Sequence, residues 1–231
     1  MVNIAIDGPS GAGKSSLSRR IAEKLSYLYV DTGALYRAVG LGVLRAGQDT
    51  KDPAQVEARL PGFAIMLRYI GGEQRIFLNG EDVSEAIRDE AVSMAASDVS
   101  AHPATRAFLL ETQRRLAREN NVIMDGRDIG TMVLPDADIK IFLTASVEDR
   151  ALRRYHQLRD SGREADYETV KLDVEQRDYN DTHRAAAPLR QAEDAVRADT
   201  TGFTPEQSFA HLLAIIERKL AEKGAPGDEN T

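Results

Sequence analysis

Gly8-Pro9-Ser10-Gly11-Ala12-Gly13-Lys14-Ser15 decides the fold, because it fits the spacing Gly, four residues, Gly-Lys-Ser/Thr in a matching context. Ahead of it, Val2 to Asp7 is a short apolar run of the kind a buried parallel strand needs. Behind it, Leu17, Ile21 and Leu25 recur every four residues along one face of a predicted helix. Strand, glycine loop and helix in that order turn a letter match into a phosphate site. Glycines let the backbone curl until several N–H groups face one anion at the positive end of a helix dipole. The expected donor site is Gly8, Pro9, Ser10, Gly11, Ala12, Gly13, Lys14, Ser15 and Ser16, and its ligand a nucleoside triphosphate. Lys14 suits the β- and γ-phosphates, and Ser15 is the candidate Mg²⁺ ligand.

The chain's 231 residues suffice for one large α/β domain or a core with a small insertion. No run approaches the ~20 apolar residues of a membrane span. A strand that starts by residue 2 leads us to expect no signal peptide. With no cysteine, disulfides and thiolate metal sites are excluded, and a cytoplasmic location is expected. A net charge of −7 and a pI near 5.2 argue against general nucleic-acid binding. Yet of the 30 basic residues, 23 are Arg and 7 are Lys. Arg forks onto phosphate and carboxylate in ways Lys does not. Genome composition also produces such a bias, so placement has to decide.

Placement favours a ligand. Tyr27 to Asp31 reads as a second strand, followed by Thr32-Gly33-Ala34-Leu35-Tyr36-Arg37 at the start of a helix. Asp31 and Thr32 also suit a simple helix cap. Tyr36 and Arg37 nonetheless fall just beyond a strand's carboxyl end, where open α/β sheets bind ligands. Residues 48–62 read as a connection or weak helix. Phe63–Ile70 and Gln74–Leu78 are strand-like runs joined by Gly71-Gly72, which predicts a hairpin and a small antiparallel insertion. Ala86–Val99 and Ala104–Glu119 read as helices broken at His102-Pro103. Asn121–Asp125 and Ile139–Leu143 are further apolar strands, and Ala195–Asp199 is a fifth. Between the last two, Arg150 to Arg190 holds eight arginines and one lysine on helical, polar sequence with few apolar anchors. Such a stretch suits a mobile lid that charged ligands draw shut. Thr204-Pro205-Glu206-Gln207 opens a closing helix, and residues 224–231 are expected to be disordered.

A triphosphate loop, arginines after strand ends and an arginine-rich lid suit phosphoryl transfer, which needs positioning and charge neutralisation. If the acceptor is itself a phosphate, no general base is needed, since a phosphate monoester's second pKa is about 6. His102, His156, His183 and His211 are scattered and read as surface or packing residues.

At this point the chain resembles the bacterial cytidylate kinases (CMP/dCMP kinases) of the nucleoside monophosphate kinase family over nearly its whole length. The resemblance rests on Ile6–Lys14, Asp31–Arg37, Asp125-Gly126-Arg127-Asp128-Ile129-Gly130-Thr131, Pro135-Asp136-Ala137 before Lys140–Leu143, and Arg177-Asp178 to Pro188. It implies an α/β P-loop NTPase fold. Helices would flank a five-stranded parallel sheet, with an antiparallel monophosphate-side insertion at about 63–89 and a helical lid at about 150–190, in one domain over 1–223. By position it puts Thr32, Tyr36, Arg37, Ser97, Arg106, Arg127, Asp128, Arg177, Asp181 and Arg184 against the acceptor nucleotide. Lys14, Arg127, Arg177 and Arg184 are the expected catalytic groups, with ATP and Mg²⁺ on the donor side. Position 32 departs from the frequent Ser of the family, though Thr keeps the hydroxyl.

The base choice has its own chemistry. Cytosine offers a donor at N4, which a carboxylate accepts, whereas uracil turns an oxygen there. Asp128, with Arg106 and Ser97, is therefore expected to prefer cytosine; the alternative is that Asp128 only holds Arg127 by a salt bridge. Asp125 would either hold Mg²⁺ through water or orient Arg127. The competing functions are a UMP, AMP or shikimate-type kinase and a nucleotide switch, but the chain has no guanine-reading Asn-Lys-x-Asp. A monomer acting on small molecules, with no nucleic-acid or membrane partner, is expected.

Overall fold

Alternating side chains along the first strand, β1 (Asn3–Asp7), send Ile4 and Ile6 to one face of a sheet and Ala5 to the other. This geometry comes from a computed structural model, which describes residues 1–71 and 73–224. In chain order β1 is followed by α1 (Lys14–Leu25), β2 (Leu28–Asp31), α2 (Thr32–Arg45) and α3 (Pro53–Arg59). Next come β3 (Ile65–Ile70), β4 (Glu73–Leu78) and β5 (Glu81–Asp82), then α4 (Glu90–Ser100), α5 (Pro103–Glu119) and β6 (Val122–Gly126). β7 (Ile139–Thr144), α6 (Val147–Asp160), α7 (Tyr167–His183), β8 (Val196–Asp199) and α8 (Pro205–Gly224) complete the described chain.

The five-stranded sheet runs β2-β6-β1-β7-β8, and every pairing in it is parallel. α1 and α8 cover one face over Ile4, Ile6, Ile123, Ile141 and Leu143. Each of these is essentially fully buried and contributes ~2 kcal/mol of apolar burial. α5 and the turn after β6 cover the other face over Ala5, Val30, Val122 and Met124. The chain leaves β1 toward β2 on one side and later reaches β7 and β8 on the other. Their carboxyl ends therefore flank a crevice at the switch point, where such sheets bind ligands.

The insertion is a second, antiparallel sheet of order β3-β4-β5, packed with α2, α3 and α4 around Leu35, Val39, Ile76 and Leu78. The expected hairpin is present, although Gly72 of its turn lies outside the described residues, as does 225–231 of the expected disordered tail. The expected helix over Ala86–Val99 is shorter. Residues Ala86–Arg88 form a 3₁₀ turn, and α4 begins at Glu90 because the Asp89 carboxylate accepts Ala91 N at 2.8 Å as its cap. Within 48–62, Asp52 caps α3, with Pro53 at the first helical position. After β6 the chain makes a π-helical turn, Ile129–Val133, that no periodicity announced.

The loop after β1 fits only because of Gly8. At φ 153°, a Cβ on Gly8 would sit 1.9 Å from the Leu143 carbonyl oxygen of β7. Gly8→Ala should therefore lose more than ~3 kcal/mol of stability in urea unfolding, since backbone must move. Gly47→Ala is the comparison: φ there is +67° with nothing within 4 Å, so it should cost about 1 kcal/mol. Equal losses would show that the close approach to β7 does not matter.

Candidate active site

The turn from β1 into α1 builds the first half of the site. Ser10 to Ser16 line a cleft of about 790 Å³. Gly13, at φ 90°, precedes α1, and no side chain caps that helix, so its first-turn N–H groups remain for an anion. Lys14 is buried beside them and donates Nζ to Pro9 O at 2.7 Å. Burial, with the positive charge of Arg127 added, pushes the Lys14 ammonium down to about 7. An adjacent polyphosphate would favour the protonated ammonium that burial disfavours. Gly8 and Pro9 do not line the cleft; Gly8 packs on β7 and Pro9 lends its carbonyl to Lys14.

Asp125, at the end of β6, closes the floor. Ser15 Oγ donates to its Oδ2 at 2.8 Å and the Tyr29 hydroxyl to its Oδ1 at 2.9 Å. Burial pushes this carboxyl up, and Asp31 adds to the effect, while Lys14 and the two hydrogen bonds pull it back. Its side-chain bonds go to Ser15 and Tyr29, not to Arg127. Among the described residues no group of three His, Cys, Asp or Glu could hold a metal. A cation at Ser15 must then take most ligands from phosphate and water, as Mg²⁺ does. The residues present fit that ion and a triphosphate.

β2 and α2 start the second half. The Asp31 carboxylate caps α2 by accepting Ala34 N at 3.0 Å and pairs with Arg37 Nη2 at 2.8 Å. The cap and the arginine site are thus one arrangement. Thr32 lines the cleft but is buried, and its hydroxyl donates to Asp125 O at 2.7 Å. That hydroxyl ties α2 to β6. Tyr36 is half-buried beneath Arg106, whose guanidinium carbon lies 5.6 Å from the ring centroid.

The π turn supplies the far wall. Asp7 accepts Ile129 N and Gly130 N, both at 2.7 Å, and so pins the turn to the end of β1. Burial pushes the Asp7 carboxyl up to about 6 against the pull of those donors. Asp128, also buried, sits just ahead of the turn and pairs with Arg106 and with Arg184, whose Nη2 is 3.5 Å from Oδ1. Arg184 also donates Nη1 to Ser100 Oγ at 3.2 Å. Arg127 has a different partner, Asp181 on α7, with Nε to Oδ2 at 2.6 Å. The alternative that Asp128 holds Arg127 is therefore wrong. Burial alone would raise the Asp181 carboxyl, but Arg127, joined by Arg184 and Lys14, brings that group below its ordinary value.

Thr32, Tyr36, Arg37, Ser97, Arg106, Arg127, Asp128, Arg177, Asp181 and Arg184 all line the same cleft as the glycine loop. Arg177 approaches Met94 Sδ at 3.8 Å. Charge joins α6 to α7: Arg150 takes Asp178 through both terminal guanidinium nitrogens, at 2.9 and 2.5 Å, and also donates to Ser10 O at 2.9 Å. Sequence reasoning missed Asp7, Tyr29, Ser100 and Arg150. An acid closing an apolar strand marks Asp31 and Asp125, and the same signal marks Asp7. Of the histidines, His102 is buried with Nε2 2.8 Å from Thr50 O, which is a packing role.

A parallel sheet whose glycine loop and buried lysine face an arginine-lined cleft defines a P-loop kinase. Comparison with known proteins narrows the class. The family model described as cytidylate kinase matches residues 4–218. A cytidylate kinase from Caldicellulosiruptor saccharolyticus is 46% identical over 96% of this chain and 98% of its own length. One from Geobacter sp. (strain M21) is 46% identical over 99% and 96%. The chain belongs to the cytidylate kinase family. An uncharacterized protein of Eubacterium ventriosum has a similar fold, at 11% identity and a TM-score of 0.52 over 94% of this chain and 99% of its own.

The buried ammonium of Lys14 carries a stability cost with a definite pH window. Its folded value of about 7 lies below the ordinary 10.5, so the cost is full below pH 7 and fades as pH rises toward 10.5. Lys14→Met should stabilise the protein by on the order of 2 kcal/mol at pH 6.5, with the gain shrinking by pH 10. Urea titrations at both pH values check this. A variant less stable than wild type at pH 6.5 would contradict it.

Proposed function

We propose that the protein transfers the γ-phosphoryl group of ATP to the phosphate of CMP or dCMP, giving ADP and CDP or dCDP. One observation carries the reading: the triphosphate loop and the Arg106–Asp128–Arg184 cluster face each other across one cleft. The loop and α1 hold the donor phosphates, with Lys14 at the β/γ end. Mg²⁺ would be held by Ser15 Oγ and phosphate oxygens, with Asp125 behind Ser15; when bound it neutralises charge on the transferring group. An ionised oxygen of the acceptor phosphate attacks γ-phosphorus as the bond to the ADP oxygen breaks, so no proton has to be removed.

Arg37 and Arg127 meet the acceptor's phosphate, and Arg127, Arg177 and Arg184 with Lys14 neutralise the charge in flight. Asp181 faces the sugar. Asp128 accepts from cytosine N4, and its ion pairs leave lone pairs for that bond, since a carboxylate offers about four sites. Arg106 and Ser97 complete the base contact. Uracil would face Asp128 with an oxygen, and such sites reject the wrong partner strongly. The reading extends to one kinase domain over residues 1–223, with insertion and lid. It describes a monomer acting on small molecules in cytoplasmic pyrimidine metabolism. Among the described residues no helix is long and apolar enough to cross a membrane.

The test is ADP release with ATP and Mg²⁺ against CMP, dCMP, UMP, AMP, GMP and shikimate, for wild type and Asp128→Ala. Wild type should be fastest with CMP or dCMP. The variant should lose most of its preference for CMP over UMP in kcat/KM, a drop of at least ~10-fold. No CMP-dependent ADP release, or an unchanged preference in the variant, would overturn the reading.

A further inference from the structure

β2 is an edge strand of the parallel sheet, with β6 on one side and, among the described residues, no strand on the other. Leu28 N–H points inward, to Asn121 O at 2.8 Å. Strand alternation then turns the backbone groups of Tyr29 and Asp31 outward. Unpaired, they would be a cost, since buried backbone polar groups need partners. The insertion supplies both. The Tyr69 hydroxyl donates to Tyr29 O, and Gln74 Oε1 accepts Asp31 N at 3.0 Å.

These two side chains are not an arbitrary pair. Tyr69 and Gln74 stand directly opposite each other in the β3–β4 ladder, on the same face of the hairpin. One offers a donor to residue 29 and the other an acceptor to residue 31, the two kinds of group an additional strand would present there. The hairpin therefore caps the sheet edge with a cross-strand side-chain pair. Its contact falls on Asp31, the residue whose carboxylate caps α2 and holds Arg37.

We propose that Tyr69 and Gln74 are positioning residues: they seat the insertion on β2 and thereby hold Asp31 and Arg37 in place for the acceptor phosphate. Neither reaches the donor loop, and neither is among the residues lining the cleft. The inference rests on the CMP-phosphorylating reading for its substrate. It adds that acceptor affinity, and not donor affinity, depends on a hydrogen-bonded pair outside the cleft.

Steady-state kinetics on Gln74→Ala, Tyr69→Phe and the control Arg68→Ala test it, with CMP and ATP varied separately. Arg68 precedes Tyr69 and so points to the hairpin's other face. Losing one such hydrogen bond should raise KM for CMP by ~5–10-fold in either variant, with kcat and KM for ATP within two-fold of wild type. Arg68→Ala should leave KM for CMP unchanged. An unchanged KM for CMP in Tyr69→Phe, the change of a single hydroxyl, overturns the proposal even if Gln74→Ala fails to fold. So does an equal rise in KM for ATP, or the same rise in Arg68→Ala, because either marks general loosening. The wild-type rate with CMP in the same assay tests the underlying reading separately.

Discussion

Two hydrogen bonds to one buried carboxylate hold the halves of this site together. Asp7 ends β1, the central strand, immediately before the glycine loop, and it accepts the N–H groups of Ile129 and Gly130 at 2.7 Å each. The glycine loop and the far wall of the cleft are thereby tied to the same residue. Burying a carboxylate is costly, and the raised pKa of about 6 expresses that cost. The return is a π turn fixed relative to the loop, with Asp128 aimed into the cleft. Arg114 holds the far end of the turn, donating to Val133 O and Met132 O at 3.0 Å each, and Asp7 holds the end next to Asp128.

Charge organises the remainder. Arg37, Arg106, Arg127, Arg150 and Arg184 all sit against carboxylates, supplied by Asp31, Asp128, Asp181 and Asp178. Guanidinium groups fixed this way lose less freedom when a phosphate arrives, which is the physical content of preorganisation for transferring a charged group. Two of these pairs, Arg127–Asp181 and Arg150–Asp178, join core or lid residues to α7. α6 and α7 bury few apolar side chains, Ala151, Val170 and Val174, and ion pairs tie them to each other and to Arg127.

The fold was legible because its signals are local. The spacing of the glycine loop, the five short apolar runs and the Thr-Pro helix start each lie within a dozen residues. The resemblance then carried the acceptor side, and all ten of those residues do line one cleft. What stayed hidden is the pairing across long separations. Asp7 finds its partners 122 and 123 residues away, Tyr29 finds Asp125 96 away, and Gln74 finds Asp31 43 away. No period records such contacts. The same ignorance left open whether Asp128 holds Arg127, which only the placement of Asp181 and Arg106 resolves. Thr32 shows the reverse limit: its hydroxyl matched a family position, yet it is engaged with the backbone of β6.

Asp7 positions the π turn behind Asp128 without itself lining the cleft. Asp7→Asn tests this most directly, because the amide keeps the shape but can accept from only one of the two N–H groups with its oxygen. The measurement is kcat/KM for CMP and for UMP, beside ATP affinity by calorimetry. The account predicts that preference for CMP falls by ~10-fold or more while ATP binds within a few-fold of wild type. A folded Asp7→Asn variant that keeps its full preference for CMP would contradict it.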